Sequence, residues 1–348
     1  MKSGKSGAWP RVTRGAAGLR RRAAARERAI LAPTRRSRPS IILLWVAVFA
    51  AGSFATTPHS PAAPLLPALE EPITPIPQPV IVEAAKVDLG EQLFRDRRLS
   101  HDSQRSCESC HDLESNGASG AVVSTLPNGN DGAFNTLTVF NAALNFRYNW
   151  AGGFRTLEAQ AAASIENPRV MATSIDDVVA RLKADPETVR MFAAVYDQGP
   201  NRENLLNAIA AFERSLLTPD SRFDRWLGGD TSALSAQEFE GYRLFKALGC
   251  VSCHQGVNIG GNLFARNGVF RRLASPEPEM LRVPSLRNVG VTAPYFHDGS
   301  APTLEHAIRR MGSAQLNSTL TDQQIAAIAS YLRTLTGNFR GHPVRVPD

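Results

Sequence analysis

Cys107-Glu-Ser-Cys110-His111 and Cys250-Val-Ser-Cys253-His254 hold all four cysteines of this 348-residue chain. Two thiols at this spacing add to the two vinyl groups of a haem, and the adjacent histidine then reaches the iron as proximal ligand. The motifs therefore predict two covalently bound haem c groups. One is held by Cys107, Cys110 and His111, the other by Cys250, Cys253 and His254. Three other uses of the cysteines compete. A zinc site could join both pairs, and an oxidising compartment could close two disulfides. Each leaves the histidine after both pairs as a coincidence. A thioredoxin-like pair needs a βαβ setting, which is not evident here.

Outward from the motifs the pattern is helical. Ser235-Ala-Gln-Glu238 is a capping box before Phe239, Tyr242, Leu244 and Phe245. Thr321-Asp-Gln-Gln324 is another, before Ile325, Ile328 and Leu332, with Gly337 as the expected stop. Ser174 caps a helix over 175–184. Leu205, Ile209, Phe212 and Leu216 recur at helical spacing within 204–217. Alternating strand runs are scarce, and 112–135 and 255–290 read as long Gly/Asn/Pro-rich loops, the kind that usually carry function. Gly90-Glu-Gln-Leu-Phe94 precedes the first Cys motif and Gly241-Tyr-Arg-Leu-Phe245 the second, a short internal echo. The expected fold is mainly α, with two cytochrome c-like haem domains packed together, long loops and little β. The boundaries expected are 82–235 and 236–338, with a tail over 339–348. Aromatics make up only 7% of the chain, and buried cofactors could supply the missing core volume.

The formal charge of +7 is unevenly spread. Residues 1–40 carry twelve Lys or Arg against Glu27, a local +11, so the remainder is +7 − 11 = −4. The basic leader, not the globular part, sets the pI, and a nucleic-acid partner is not implied. An apolar run follows, Ile41-Ile-Leu-Leu-Trp-Val-Ala-Val-Phe-Ala-Ala51, and then Ser53-Phe-Ala55. Together these read as an export signal over 1–57, cleaved or retained as an anchor, which places the working protein in the periplasm. Residues 58–81 hold eight prolines and read as a stiff, extended linker without a core.

The second axial ligand of each iron separates electron transfer from catalysis. His59, His101, His297, His306 and His342 lie outside the motifs. The methionine candidates are Met171, Met191, Met280 and Met311, and spacing alone does not choose among them.

From about Leu89 to Gly337 the chain resembles the bacterial di-haem cytochrome c peroxidase family, which includes the MauG-type enzymes. The resemblance is carried by both Cys motifs and by Asn135-Thr-Leu-Thr-Val-Phe-Asn141, Trp150 and Thr156-Leu-Glu-Ala-Gln160. Val283-Pro-Ser-Leu-Arg-Asn288, Thr292-Ala-Pro-Tyr-Phe-His-Asp-Gly299 and Met311-Gly-Ser-Ala-Gln-Leu316 complete it. It implies a first, low-potential haem that meets hydrogen peroxide, with His111 proximal. It implies a second, high-potential haem for electron entry, with His254 and Met311 axial. Trp150 matches an indole between the haems, and Gln160 a distal-pocket amide. Asn135, Thr292 and Pro294 match a calcium site between the domains, supplying hard oxygen donors, although the same residue types are ordinary in turns. His297 resembles a residue near the second haem. The electron donor implied is a small periplasmic cytochrome c or a cupredoxin, and a homodimer is common in the family.

The departures bear on chemistry. The loop Ser124-Thr-Leu-Pro-Asn-Gly-Asn-Asp131 has no histidine where many members carry a distal one. Asn167-Pro-Arg-Val-Met171 puts Val170 where the family has a glutamate, and Glu166, one helical turn away, is the nearest substitute. Loss of such an acid–base group costs roughly 10²–10⁴-fold in rate. Trp150-Ala-Gly-Gly153 is also altered. The leading expectation is a peroxidase that reduces hydrogen peroxide to water. The alternatives are a MauG-like oxidase of a protein or small molecule, and a di-haem electron carrier without chemistry.

Overall fold

A computed structural model describes residues 71–80, 83–121, 134–275 and 278–347. The export segment over 1–57, the first part of the linker and the loop 124–131 lie outside the described residues. No helix among the described residues is long and apolar enough to cross a membrane.

The fold is mainly helical. Helix α1 (Ala84–Arg95) leads into the first Cys motif. Helices α2 (Leu157–Glu166), α3 (Ile175–Lys183), α4 (Pro186–Tyr196) and α5 (Arg202–Ser215) complete the first half. Helix α6 (Arg222–Leu227) precedes α7 (Ala236–Ala247), which leads into the second motif, and α8 (Leu304–Leu316) and α9 (Asp322–Arg333) follow. Side-chain caps start these helices where the sequence places them. Ser174 accepts from Asp177 N, and both Ser235 with Glu238 and Thr321 with Gln324 close reciprocal capping boxes. Each cap satisfies otherwise orphaned N–H groups, at about 1 kcal/mol apiece. The strands are short. β1 (Phe264–Arg266) pairs antiparallel with β2 (Met280–Arg282), Ala265 opposite Leu281, and β3 (Asn338–Phe339) pairs with β4 (His342–Pro343).

The short sequence echo is a repeated helix crossing. Helix α1 packs on α5, and α7 packs on α9. A Cβ at Gly90 would overlap the carbonyl oxygen of Ala208 and the side chain of Phe212. A Cβ at Gly241 would overlap the carbonyl oxygen of Ala327 and the side chain of Tyr331. Each glycine is therefore the point where two backbones touch. Four residues on, Phe94 meets Phe212 and Phe245 meets Tyr331, each with ring centroids 5.3 Å apart. The same two phenylalanines approach His111 and His254 at 6.5 and 6.3 Å. One crossing thus sets the position of each haem-attachment turn.

Four expectations need correction. The proline-rich stretch is extended, but residues 71–80 are not a free linker. Ile73 is 2% exposed within the second core, and Glu71 pairs with Lys246. The globular part therefore begins before Val82. Helix α6, which the expected boundary at 235 puts in the first half, sends Phe223 and Trp226 into the same second core as Tyr242 and Tyr331. The tail is also anchored: Val344 is buried in the first half beside Phe140, and Arg345 donates to the carbonyl of Glu114. Gly337 is no helix stop, since α9 ends at Arg333 with Thr334 as its cap. It is small because a side chain there would strike the carbonyl of Thr218.

A buried ion pair joins the strap to the second core. Arg287 bonds Asp224 at 2.7 Å, with side chains 1% and 5% exposed. Arg287 also donates to the carbonyls of Thr74 and Val257 at 2.8 Å, and Asp224 caps α6 through Ser221. Gly241→Ala should destabilise the protein by about 1–3 kcal/mol or more, because the added carbon meets backbone rather than a movable side chain. Guanidinium unfolding of the haem-loaded protein checks this, and an unchanged midpoint would refute the close crossing. Asp224→Ala should cost about 3–5 kcal/mol by stranding the Arg287 charge, read in the same way.

Candidate functional site

Each Cys-x-x-Cys-His run is wound as a single helical turn. The amide of His111 donates to the carbonyl of Cys107 and that of His254 to the carbonyl of Cys250, both at 3.0 Å. That winding carries the first cysteine and the histidine to one side of the turn. The two rings are then fixed in the same way. His111 Nδ1 lies 3.2 Å from the carbonyl oxygen of Gly117, and His254 Nδ1 lies 3.2 Å from that of Ile259. A proton held on Nδ1 by a carbonyl leaves the Nε2 lone pair for a metal. Burial holds both imidazoles below the ordinary histidine range, His254 down to about 4. Both rings are therefore neutral at neutral pH, as metal ligation requires.

The cysteines form no disulfide and are half-buried. Burial pushes the Cys107 thiol up to about 12 and that of Cys250 up to about 11. Burial of this kind disfavours the low-pKa thiolate of a reactive redox pair. Among the described residues, no three His, Cys, Asp or Glu side chains gather as metal ligands. The geometry thus leaves thioether attachment as the use that explains both histidines.

The second motif opens onto a cavity with about 1250 Å³ of empty space, counting its mouth. His254 and Met311 both line it, with Phe245, Ile328 and Leu332 on the wall. Helix α8 brings Met311 there. The other described methionines lie elsewhere: Met171 and Met191 pack in the first core, and Met280 is exposed. Trp150 forms another part of the wall, its Nε1 donating to the carbonyl of Asn135 at 2.8 Å. Its ring stands edge-on to buried His297 at 6.1 Å. Asn135, Thr292 and Pro294 also line this cavity.

Two residues went unremarked in the sequence. Arg282 is buried, and burial pulls its guanidinium down to about 10. Its Nε donates to the carbonyl of Asn149, its backbone N–H donates to that of Trp150, and no carboxylate among the described residues pairs with it. The second is Glu213 on α5, buried beside Phe212 and raised to about 8 by that burial. The one available signal was its place four residues after Ile209, an acid on an apolar stripe.

The expected distal group is only partly assembled. Gln160 on α2 is half-buried, and its Nε2 donates to Ser164 Oγ at 2.9 Å. Val170 is 42% exposed. Glu166, the nearest substitute for the missing glutamate, is instead engaged by Arg202 at 3.0 Å on the surface. It does not serve as the lost carboxylate.

The residues present fit haem at both motifs. Each offers paired thiols and a pre-oriented imidazole. The second adds an apolar cavity with a thioether.

The family profile for di-haem cytochrome c peroxidase matches residues 84–232, and the profile for cytochrome c matches residues 239–336. The chain is 40% identical to Cytochrome c peroxidase Ccp of Escherichia coli K12 over 314 residues, covering 85% of this chain and 66% of that protein. It is 37% identical to Cytochrome c551 peroxidase of Nitrosomonas europaea over 286 residues, 78% of this chain and 86% of that protein. Among solved structures, a MauG-like protein associated with microbial copper homeostasis superposes with a TM-score of 0.67 at 27% identity. That match covers 75% of this chain and 93% of that one. Paired haem-attachment turns on one repeated crossing, together with these matches, make the chain a member of the di-haem cytochrome c peroxidase family, a family of peroxidase enzymes.

Proposed function

We propose that the protein reduces hydrogen peroxide to water in the periplasm, drawing electrons from a small redox protein. The observation that carries this reading is the cavity shared by His254, Met311 and Trp150. It brings a thioether, which would be the second axial ligand of a haem held by His254, and an aromatic side chain onto the wall of one of two otherwise parallel sites. Haem bound at these turns supplies one-electron redox chemistry, with the axial set deciding between electron transfer and reaction with a small molecule. His254 and Met311 hold the electron-entry site closed. Trp150, fixed by Asn135, is the relay between the sites. Gln160 presents an amide that can hydrogen-bond peroxide but cannot shuttle its proton. The overall balance is one H₂O₂, two electrons and two protons to two H₂O. Asn135, Thr292 and Pro294 are proposed as oxygen donors to one calcium. The globular part, at about −4, suits a basic cytochrome c donor, and a cupredoxin is the alternative. Nothing in the sequence or fold calls for nucleic acid, and two copies of the chain are the proposed assembly.

A second reading, a MauG-like oxidase of a protein or small molecule, is favoured by one observation. The position of the family's distal glutamate holds an exposed valine, Val170.

The haem-loaded protein should turn over peroxide with reduced cytochrome c at about 1 s⁻¹ or faster, the lower edge of ordinary enzyme rates. A slower steady state would exclude the peroxidase reading in favour of the oxidase or carrier. Met311→Ala should convert the second haem from low to high spin by absorption and EPR, and an unchanged low-spin signal would place the ligand elsewhere. Trp150→Phe should slow turnover by about tenfold, equivalent to ~1.4 kcal/mol of barrier, with both haem spectra unchanged.

A further inference from the structure

The two helix crossings share a register, and that register locates Glu213. In the second half, Gly241 meets Ala327 and Tyr331, and the next residue, Leu332, lines the cavity of His254. In the first half, Gly90 meets Ala208 and Phe212 in the same order, and the next residue is Glu213. A carboxyl thus stands where the other haem site has leucine. It is buried, and its Oε2 has no hydrogen-bond partner among the described residues. Packing alone does not require an acid here, since Leu332 fills the equivalent place, and an unpaired buried carboxyl costs stability.

We infer that Glu213 is the proton-holding residue of the first haem pocket, taking up one proton from solvent as one electron arrives there. This rests on haem attachment at Cys107–His111 and deepens the peroxidase reading, though its test does not need turnover.

The groups around Glu213 are few. Cys107 of the attachment turn is close enough for Glu213 to raise its thiol. Helix α2 supplies Glu158, the preceding loop Tyr148, and α5 itself Arg214. Helix α1 turns Leu89, Leu93 and Phe94 inward, and α3 adds Val178 and Leu182 to the neighbouring core. Arg214 lowers the Glu213 carboxyl and Glu158 raises it, and these two bond each other at 2.5 Å near the surface. Burial is the larger effect and lifts Glu213 to about 8.

The charge balance is simple. Reduction of a haem iron held by His111 would remove one positive charge from the pocket. Glu213 carboxylate plus one solvent proton then gives the neutral acid, so the pocket's charge is unchanged. A positive iron favours the carboxylate, and its loss favours the acid. The potential of the first haem must therefore fall as pH rises between the two carboxyl pKa values, and stay flat outside them. Peroxide reduction consumes protons with its electrons. With Val170 in place of the distal glutamate, this carboxyl supplies a proton store within the fold.

Potentiometric titration of the haem-loaded protein between about pH 5 and pH 9 tests this, a range spanning free and shifted carboxyl values. The first haem is the wave that Met311→Ala leaves unmoved. Its midpoint should fall by up to about 59 mV for each tenfold drop in proton concentration. Glu213→Gln and Glu213→Leu should both flatten it, while Glu166→Gln, on the surface, should keep it. A flat wild-type wave, or a slope that survives both substitutions, overturns the assignment. Folding does not confound the test. The folded-state pKa of Glu213 is raised, so the wild type loses stability as pH climbs from the free carboxyl value toward about 8. Glu213→Gln should remove that loss and melt higher on the alkaline side. A sloped wave in a protein without peroxide turnover would refute the peroxidase reading and leave the role of Glu213 standing.

Discussion

Two backbones in contact, at Gly90 on Ala208 and at Gly241 on Ala327, are the constraint on which both sites depend. A helix pair normally keeps its axes about 8–10 Å apart, according to the side chains between them. Removing the side chain on one partner lets the other helix settle directly on it. Phe94 and Phe245 then have one place to go, against Phe212 and Tyr331, and each holds a histidine ring from behind. The haem-attachment turns inherit their position from this contact. Attachment is covalent and local, but the direction in which each imidazole points comes from the crossing and from one carbonyl, Gly117 or Ile259.

The two halves are also tied by the segments that flank them. The strap before the first half, residues 71–80, is pinned along the second core, through buried Ile73, the Ile76 bond to Asp224 and the Arg287 bond to Thr74. The tail after the second half closes on the first, through Val344 and the Phe339–Phe140 ring contact. Each half thus completes its apolar surface with chain from beyond the other. Such an exchange resists separation without a large interface, because parting the halves would expose both the strap and the tail.

Parallel architecture makes the differences between the sites informative. Leucine faces one haem cavity where glutamate stands in the other half, and Met311 reaches the cavity of His254 while Met171 and Met191 are spent in packing. One site is thereby lined by soft, apolar groups. The other holds a buried acid. The family's usual acid position is an exposed valine, and the adjacent Glu166 is tied to Arg202. The two halves that share one crossing thus differ in what they bury, a thioether and a leucine on one cavity wall and a carboxyl in the other half.

The sequence by itself determined the attachment chemistry, since Cys-x-x-Cys-His is a local pattern whose meaning lies in spacing along one helical turn. It also determined the helices, because capping boxes at Ser235 and Thr321 and the stripe through Leu205, Ile209 and Phe212 act within a few residues. The short echo ahead of each motif was legible as a repeat, but its cause was not: a glycine's need for space is set by a partner more than a hundred residues away. Only the tertiary structure decided that Met311 and His254 line one cavity, that Ile73 and Ile76 between the prolines are buried, and that Gly337 makes room for Thr218 rather than ending a helix. It alone set Glu213 and Arg282 apart from other charges. Burial and the absence of a counter-charge belong to the surroundings of a side chain, and no spacing along the chain encodes them.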